Sequence, residues 1–334
     1  HRTMKNNGKT LTTKGGFLLQ TYRDEGFRGC FKKIRAAITM GVPFYLFGRR
    51  TNKSVGAYFD LITEDARRFY GDNFHFGFFQ NDTSTHEEAL AAHTDMVAQM
   101  AGLGEKGTGT QHILDIGCGI CAPAIRIASH YPVDITGINI SKEQVRQGKI
   151  LVEKAKLENR IHIHEGNALA LPFADASFDA ILCVEVAGDI CVSHGQKARL
   201  VQEMLRVLKP GGRIGFSDLI FTKAPTEEEE KVMRAILYHK GRELITDWPS
   251  IFRKGGFSVK SCVDMIEKTH PTWEKSIKVY EERREELQKI LDKINFNQSS
   301  FMLNNERYGT IRFMAFSSEI VPPELLQLPA NSPP

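Results

Sequence analysis

The sequence predicts an α/β fold with a doubly wound, mostly parallel sheet, a helical cap and an N-terminal helical arm. Two observations predict the sheet. Between residues 112 and 221, short apolar runs alternate with amphipathic stretches of helical period, and a glycine turn directly follows the first run. The composition agrees, because 41% hydrophobic and 25% charged residues are usual for a chain with a sizeable core.

The elements follow in a regular order along the chain. Thr85 followed by Glu88 has the spacing of a capping box and predicts a helix over 85–100. The predicted strands are HILDI (112–116), DITGINI (134–140), IHIHEG (161–166), AILCVEV (180–186) and RIGFSDLIF (213–221). The predicted helices between them cover 122–130, 141–155 and 196–208. This alternation is typical of βαβ units, whose strands are parallel.

The C-terminal third has a different composition. Residues 222–310 are charged and predicted to be mostly helical, and we assign 223–309 to a substrate cap. The run TIRFMAF predicts a final strand, which we place in a core segment over 310–320. The tail, 321–334, has five prolines in fourteen residues and is predicted to be disordered.

The N-terminal arm, 1–52, is basic and is predicted to contain short helices. Residues 1–55 hold twelve Lys/Arg against two Asp/Glu, whereas the whole chain has a net charge of +4. A basic arm suits nucleic acid, a membrane surface or a solvated extension. We favour the extension and expect no nucleic-acid partner, because no basic groove with interleaved aromatic residues accompanies it. No window approaches the roughly 18 consecutive apolar residues of a membrane span.

The six cysteines do not form a dense framework. Cys118 and Cys121 make one CxxC pair, but no second CxxC or His pair follows at metal-ligand spacing. We therefore predict no metal site. Unpaired thiols suit a reducing compartment, so we expect a cytoplasmic protein.

The segment ILDIGCGICAPA carries the chemistry. A buried strand leads into Gly117 and Gly119, which let the backbone turn tightly and let a ligand approach the main chain. A dinucleotide-binding loop would have a third glycine, but Ala122 stands there. Asp115 precedes the first glycine, and its carboxylate would repel a diphosphate. It suits a ligand that bears an ammonium group.

An Asp before GxG resembles the loop of class I S-adenosylmethionine-dependent methyltransferases. The segments VLKPGGRIGFSD (207–218) and LPFADASFDAILCVEV (171–186) resemble two further motifs of that family, in the same order. The resemblance covers about 53–222 and is greatest to the small-molecule group that includes sterol, tocopherol, sarcosine/dimethylglycine and sugar or natural-product O-methyltransferases. It implies a Rossmann-like sheet of seven strands, S-adenosylmethionine as cofactor, and an aromatic lid at the start of the core.

The resemblance also assigns cofactor contacts, one position at a time. They are Tyr58, His75, Asp115, Gly117, Cys118, Gly119, Asn139, Ile140, Gln144, Asn167, Ala168, Leu169 and Glu185. Asp115 and the two glycines would line the methionine part, and Asn139 stands where most relatives carry an acid on the ribose hydroxyls. Asn can hydrogen-bond a diol, though more weakly than a carboxylate.

The remaining assignments follow the family's motifs. Asn167 and Ala168 match the turn that contacts adenine, and Glu185 ends the fourth strand beside the methyl donor. Tyr58 and His75 belong to an aromatic segment, 57–79, that in related enzymes folds over the cofactor.

The residues that bind the methyl acceptor and take its proton are harder to identify from the sequence. Related sugar O-methyltransferases supply a His as general base after the fourth strand, but Gly188 and Asp189 stand there. Asp189 is the nearest replacement base and His194 the second candidate, while a plain surface acid is the alternative. In the cap, the side chains that could line a pocket are His239, His270, Trp273 and Tyr280. His270 precedes Pro271, and the alternative for it is a place in a turn.

We therefore expect O-methylation of a hydroxyl on a bulky small molecule such as a secondary metabolite. The alternatives are N- or C-methylation of a sarcosine-like amine or an isoprenoid, RNA methylation, and a cofactor-binding scaffold without activity. The Tyr- and Trp-rich signature of sterol enzymes is not reproduced, and no Asn/Asp-Pro-Pro-aromatic motif follows the fourth strand. The sequence leaves the oligomeric state open.

Overall fold

A computed structural model describes most of the core and part of the C-terminal third. The described residues are 55–57, 59–60, 63–64, 66–67, 71–105, 109–191, 193–221, 248–282 and 311–320. The predicted arm and tail lie outside these residues, as do Tyr58, His239 and the side chains of Trp273 and Tyr280.

A seven-stranded sheet forms the centre of the described part, as predicted. Its strands are β1 (Gln111–Ile116), β2 (Val133–Asn139), β3 (Ile161–Glu165), β4 (Phe178–Val184), β5 (Leu208–Phe221), β6 (Phe257–Asp264) and β7 (Ile311–Ile320). Their order across the sheet is β3-β2-β1-β4-β5-β7-β6. The first five pair in parallel, and β7 runs antiparallel to both β5 and β6.

Helices of the described part connect these strands. They are α1 (His86–Met100), α2 (Ala122–His130), α3 (Lys142–Lys154), α4 (Ala187–Ile190), α5 (His194–Val207), α6 (Trp248–Lys254) and α7 (Ile266–Glu282). The capping box at the start of α1 is confirmed, because Thr85 and Glu88 each bond the other's backbone N–H. Ser141 and Ser193 cap α3 and α5 through their side-chain oxygens, which accept the N–H of Gln144 and of Gln196.

Both faces of the sheet are covered, which is why the central strands β1 and β4 carry apolar residues on both sides. Along β1, Leu114 packs in one buried cluster and its neighbour Ile113 in the other. Along β4, Ile181 and Leu182 divide in the same way. Because successive side chains of a strand point to opposite faces, this division identifies a doubly wound sheet with helices on both sides.

The strand β6 lies inside the range that the sequence assigned to a mostly helical cap, so that interpretation was wrong at this point. Most of β6 is exposed or half-buried, and its sequence FSVKSCVD has no apolar run. It pairs with one neighbour, β7, at an edge of the sheet. An edge strand needs little apolar sequence, and the pattern was therefore weak. His270 also differs from its expected place in a turn, since it lies within α7 together with Pro271.

The parallel part of the sheet has one point where its strand order reverses. After β1 the chain moves outward to β2 and β3, and it then returns to place β4 on the other side of β1. Ligands of open α/β sheets bind outside the carboxyl ends of the strands at such a point. The loops after β1 and β4 therefore define the candidate site. Within the described residues, no helix is long and apolar enough to cross a membrane.

Candidate cofactor and active site

The loop after β1 is shaped by glycines and by the neighbouring loop after β4. Gly117 has a φ of +72°, and a Cβ built on it would lie 2.3 Å from Cγ2 of Val186. Its N–H donates to the Ile138 carbonyl at 2.8 Å. The loop closes in a turn from Cys118 to Cys121, and Cys121 takes a left-handed conformation before α2 begins. A side chain at Gly117 would therefore disrupt the junction of the two loops.

Asp115 lies in β1, two residues before this turn, and is 6% exposed. Among the described residues, none donates a hydrogen bond to its carboxylate or forms an ion pair with it. Burial raises the pKa of Asp115 to about 7. A buried acid without a partner is unfavourable when ionised, and a cationic ligand group would relieve that cost.

The end of β2 is tied to the glycine loop through Asn139. Its amide nitrogen donates to Gln144 Oε1 at 2.7 Å and to the Gly119 carbonyl at 3.2 Å. Its oxygen accepts the N–H of Ser141 at 3.0 Å. Asn139 and Gln144 are both buried, and Ile140 between β2 and α3 is half-buried. The structure thus brings three of the predicted residues together with the loop after β1.

The turn after β3 contains the predicted adenine-contacting residues. Asn167 accepts the N–H of Leu169 through its side-chain oxygen at 2.9 Å, which makes an Asx turn. Ala168 and Leu169 are half-buried and pack against the core cluster that includes Leu171. This turn follows β3, at the same edge of the sheet as the loops after β1 and β2.

Glu185 follows β4 in a left-handed conformation with a φ of +54°. Its N–H donates to the Ser217 carbonyl at 2.8 Å, and its Oε1 accepts the N–H of Phe76 at 2.6 Å. Burial raises the pKa of Glu185 well above the usual range, the carboxylates of Asp218 and Asp189 add to this, and the Phe76 N–H opposes it. Burial therefore disfavours the ionised form of Glu185, and a nearby cation would favour it.

Two buried histidines accompany Glu185. Nδ1 of His75 and Nδ1 of His93 both lie within hydrogen-bond distance of the Phe76 carbonyl, at 2.9 and 2.6 Å. Nε2 of His93 lies 2.9 Å from Ser217 Oγ. Burial lowers the pKa of His75 to about 4 and that of His93 to about 3, so both rings are neutral near pH 7.

Ligating atoms of His75, His93 and Glu185 lie within 4.8 Å of one another, which is a spacing that metal ligands can have. In this structure the atoms that converge there bond Phe76 instead. We therefore describe these residues as a hydrogen-bonded network. The thiols of Cys118 and Cys121 are unpaired and buried, and hydrogen bonding with Cys121 together with burial raises the pKa of Cys118.

The two candidate bases occupy different environments. Asp189 is half-buried in the short helix α4, directly after the loop that carries Glu185. The preceding residue, Gly188, donates its N–H to Asp218 Oδ2 at 2.6 Å, which fixes this turn against β5. His194 is exposed at the first position of α5. Along the chain, Asp189 thus follows the loop after β4 more closely than His194 does.

Three buried polar residues of this region were missed by the sequence reasoning: His93, Ser217 and Asp218. His93 lies on the buried face of α1, and Ser217 and Asp218 lie in β5. The available signal was a His within an apolar helical face, together with a Ser-Asp pair inside the apolar second half of β5. Such residues need partners when buried, and partners from distant parts of the chain were not visible in one sequence.

Comparison with known proteins identifies the family. A family model described as a methyltransferase domain matches residues 113–212. The chain is 30% identical over 272 residues to the 27-O-demethylrifamycin SV methyltransferase of Amycolatopsis mediterranei (strain S699). That match covers 80% of this chain and 93% of the relative.

The chain belongs to the S-adenosylmethionine-dependent methyltransferases. This methyltransferase is also 30% identical over 226 residues to the O-methyltransferase resE of Aspergillus sclerotiorum, covering 66% of this chain and 82% of the relative. Among solved structures, that of the [4+2]-cyclase SpnF superposes with a TM-score of 0.69 at 22% identity, covering 81% of this chain and 97% of that one. At this identity the likeness concerns the fold alone, and one fold supports several chemistries.

The residues at the carboxyl edge fit the cofactor of this methyltransferase. S-Adenosylmethionine carries an ammonium group and a sulfonium, both cationic. Asp115 is a buried carboxylate with no partner among the described residues, and the backbone at Gly119 is open, since a Cβ built there would lie 3.8 Å from Cδ2 of Phe74. The cofactor predicted from the sequence is confirmed at the level of the family.

Proposed function

We propose that this methyltransferase transfers the methyl group of S-adenosylmethionine to a hydroxyl of a bulky secondary metabolite. The observation that carries the proposal is the 30% identity, over 93% of its length, to an enzyme named for O-methylation of a rifamycin. The O-methyltransferase resE supports it independently. The Asp115 loop at the strand-order reversal provides the cofactor side of such a reaction.

The cofactor site proposed here uses the loops after β1, β2, β3 and β4. Asp115 receives the ammonium group, while Gly117, Cys118 and Gly119 let the methionine part lie against the backbone. Asn139, with Ile140 and Gln144 beside it, contacts the ribose. Its amide nitrogen also donates hydrogen bonds within the protein, to Gln144 and to the Gly119 carbonyl. The adenine lies at the turn formed by Asn167, Ala168 and Leu169.

Fewer observed contacts support the assignment of Tyr58 and His75, the residues of the aromatic lid, to the cofactor site. His75 is buried, and both its ring nitrogens lie near protein groups, Phe76 O and Thr94 Oγ1. Any contact of His75 with the cofactor therefore involves its ring carbons. Tyr58 lies outside the described residues and stays a prediction from the resemblance.

The bound cofactor supplies an electrophilic methyl group, and the protein must align the acceptor and take its proton. We assign the role of general base, which takes the proton of the acceptor hydroxyl, to Asp189. This residue lies in the turn directly after Glu185 and is half-buried. The contact from Gly188 to Asp218 holds that turn in place. His194, exposed at the start of α5, is the second candidate.

The acceptor is proposed to lie between the aromatic segment that contains Phe76 and the cap, 223–309. Within the described part of that range, α7 contacts the aromatic segment through Thr272, whose hydroxyl accepts the Gly77 N–H at 3.0 Å. Cytoplasmic location also stays a proposal. It is supported by the unpaired, buried thiols of the core, which suit a reducing compartment.

The experiment compares Asp189→Asn with His194→Asn in a methyl-transfer assay on a panel of secondary-metabolite alcohols that includes 27-O-demethylrifamycin SV. Removing the general base is expected to lower kcat by about 10² to 10⁴-fold in Asp189→Asn, with little change in affinity for S-adenosylhomocysteine. His194→Asn is the matched control and should stay within about threefold of wild type. Loss of activity in His194→Asn alone would transfer the role to His194. Retention in both variants would overturn a side-chain base at either position.

A further inference from the structure

We propose that His93 is a positioning residue for the cofactor site: through a closed ring of four hydrogen bonds it fixes Glu185 at the carboxyl edge of the sheet. The ring joins Glu185, Ser217, His93 and Phe76, which come from four separate parts of the chain. The inference rests on the proposed cofactor site but not on the nature of the acceptor.

The four contacts close on themselves. The Glu185 N–H donates to the Ser217 carbonyl at 2.8 Å. The Ser217 hydroxyl and His93 Nε2 are 2.9 Å apart, and His93 Nδ1 and the Phe76 carbonyl are 2.6 Å apart. The Phe76 N–H returns to Glu185 Oε1 at 2.6 Å. Both the backbone and the side chain of Glu185 are therefore held by this one ring of hydrogen bonds.

The donor and acceptor groups allow only one direction of hydrogen-bond donation around the ring. A carbonyl oxygen only accepts, so Nδ1 of His93 carries the hydrogen that points at Phe76. A neutral imidazole has one N–H, so Nε2 is an acceptor and the Ser217 hydroxyl donates to it. Burial supports the neutral form, since it lowers the pKa of His93 to about 3. Donors then run head to tail around the ring, and the His93 imidazole couples the bond it accepts from Ser217 to the bond it donates to Phe76.

The Phe76 corner of the ring is itself fixed by neighbouring contacts. The Gly77 N–H donates to Thr272 Oγ1 at 3.0 Å, and the Phe78 N–H donates to the Ala89 carbonyl at 2.8 Å. His75 Nδ1 lies 2.9 Å from the same Phe76 carbonyl that His93 contacts. The aromatic segment therefore has little freedom to move away from Glu185 while His93 is in place.

One oxygen of Glu185 remains outside the ring. Oε2 has no hydrogen-bond partner among the described residues and is not sealed from solvent, since the side chain is 11% exposed. The titratable groups around it are His93 of α1, His75 of the aromatic segment, Asp189 of α4 and Asp218 of β5. Because Glu185 adjoins the loop after β1 through Val186 and Gly117, we infer that Oε2 faces the cationic cofactor.

A double-mutant cycle tests the positioning role by calorimetric titration with S-adenosylmethionine, which needs no acceptor. His93→Phe keeps a ring in the helix but removes both nitrogens, and it is expected to weaken binding by about tenfold. Glu185→Gln should weaken binding by a similar factor. If His93 acts through Glu185, the double variant binds within about twofold of Glu185→Gln alone. Multiplicative losses would show a general structural effect and would overturn the proposal.

Two further variants keep the result interpretable. His86→Phe changes a histidine of the same helix outside the ring and should leave affinity within about twofold. If His93→Phe does not fold, Ser217→Ala opens the ring at its hydroxyl and enters the same cycle with the same expectation. A wild-type protein that binds S-adenosylmethionine but methylates no hydroxyl would refute only the proposed function, whereas additive losses would refute only the role of His93.

Discussion

Replacing Asp115 by asparagine keeps the size of the side chain and removes its charge. The carboxyl is buried, has no partner among the described residues, and has a pKa of about 7. An ammonium group binds the ionised form, so cofactor binding must release a proton wherever that form is scarce. The observed affinity for the cofactor is then the affinity of the ionised form multiplied by the fraction of free protein in which Asp115 is ionised.

The magnitude follows from that pKa. With a pKa of about 7, the ionised fraction is about 9% at pH 6 and about 76% at pH 7.5. Affinity for S-adenosylhomocysteine should therefore increase about eightfold between these pH values. In Asp115→Asn the part of this pH dependence that comes from Asp115 should vanish, leaving only what Glu185 contributes, and binding at pH 7.5 should be weaker by about 10- to 100-fold because a hydrogen bond to a charged group is lost.

The assay is calorimetric titration with S-adenosylhomocysteine across pH 6 to 7.5, run in two buffers of different ionisation enthalpy to count released protons. His75 and His93 titrate below this window, since burial lowers their pKa values to about 4 and about 3. Glu185→Gln is the control for the other raised carboxyl and should retain the pH slope. A slope that persists in Asp115→Asn and disappears in Glu185→Gln would refute the assignment.

The same shift has a consequence for stability. The folded pKa of Asp115 is raised above its unfolded value of 3.8, so the folded protein binds the proton more tightly. Its stabilising contribution is complete below about pH 4 and is lost as pH rises toward 7. In thermal unfolding without cofactor, Asp115→Asn should gain stability relative to wild type over that window, by up to about 4 kcal/mol. Equal pH dependence in both proteins would contradict the account.

Two further predictions concern the scaffold around the site. Gly117→Ala should destabilise the protein to urea by about 1–3 kcal/mol more than Gly211→Ala, because both have positive φ but only the Gly117 Cβ meets another side chain within 4 Å. Equal losses would refute the clash. Arg206→Ala should cost about 2–3 kcal/mol at pH 7, because Arg206 bonds the buried Glu203 at 2.9 Å. Arg206 lowers the pKa of Glu203, so this difference should shrink as pH falls below about 4.5, and a constant difference would argue against the ion pair.

Most of the parallel sheet could be predicted from the sequence, because its strands are apolar on both faces and glycines or caps separate them from helices. The helix predicted over 122–130 matches α2, and β1 begins one residue before the predicted strand. By contrast, β6 was missed because an exposed edge strand needs no apolar run.

The cofactor edge could be predicted for a different reason. Asp115 and Gly117 are two positions apart in sequence, so their chemistry is visible in one short segment. The ring around Glu185 could not be predicted, since His93 and Ser217 are 124 positions apart and meet only when α1 packs on β5. Nothing in either segment signals the other. Long-range polar contacts of this kind depend on the packed structure.

The central claim is methyl transfer from S-adenosylmethionine to oxygen. The most direct test supplies trideuteromethyl-labelled cofactor with a panel of natural-product alcohols and their amine and alkene counterparts, and locates the label by mass spectrometry and NMR. We expect the wild-type protein to form a labelled methyl ether, and Asp115→Asn to form much less of it. Label found only on carbon or nitrogen, or an undiminished rate in Asp115→Asn, would contradict it.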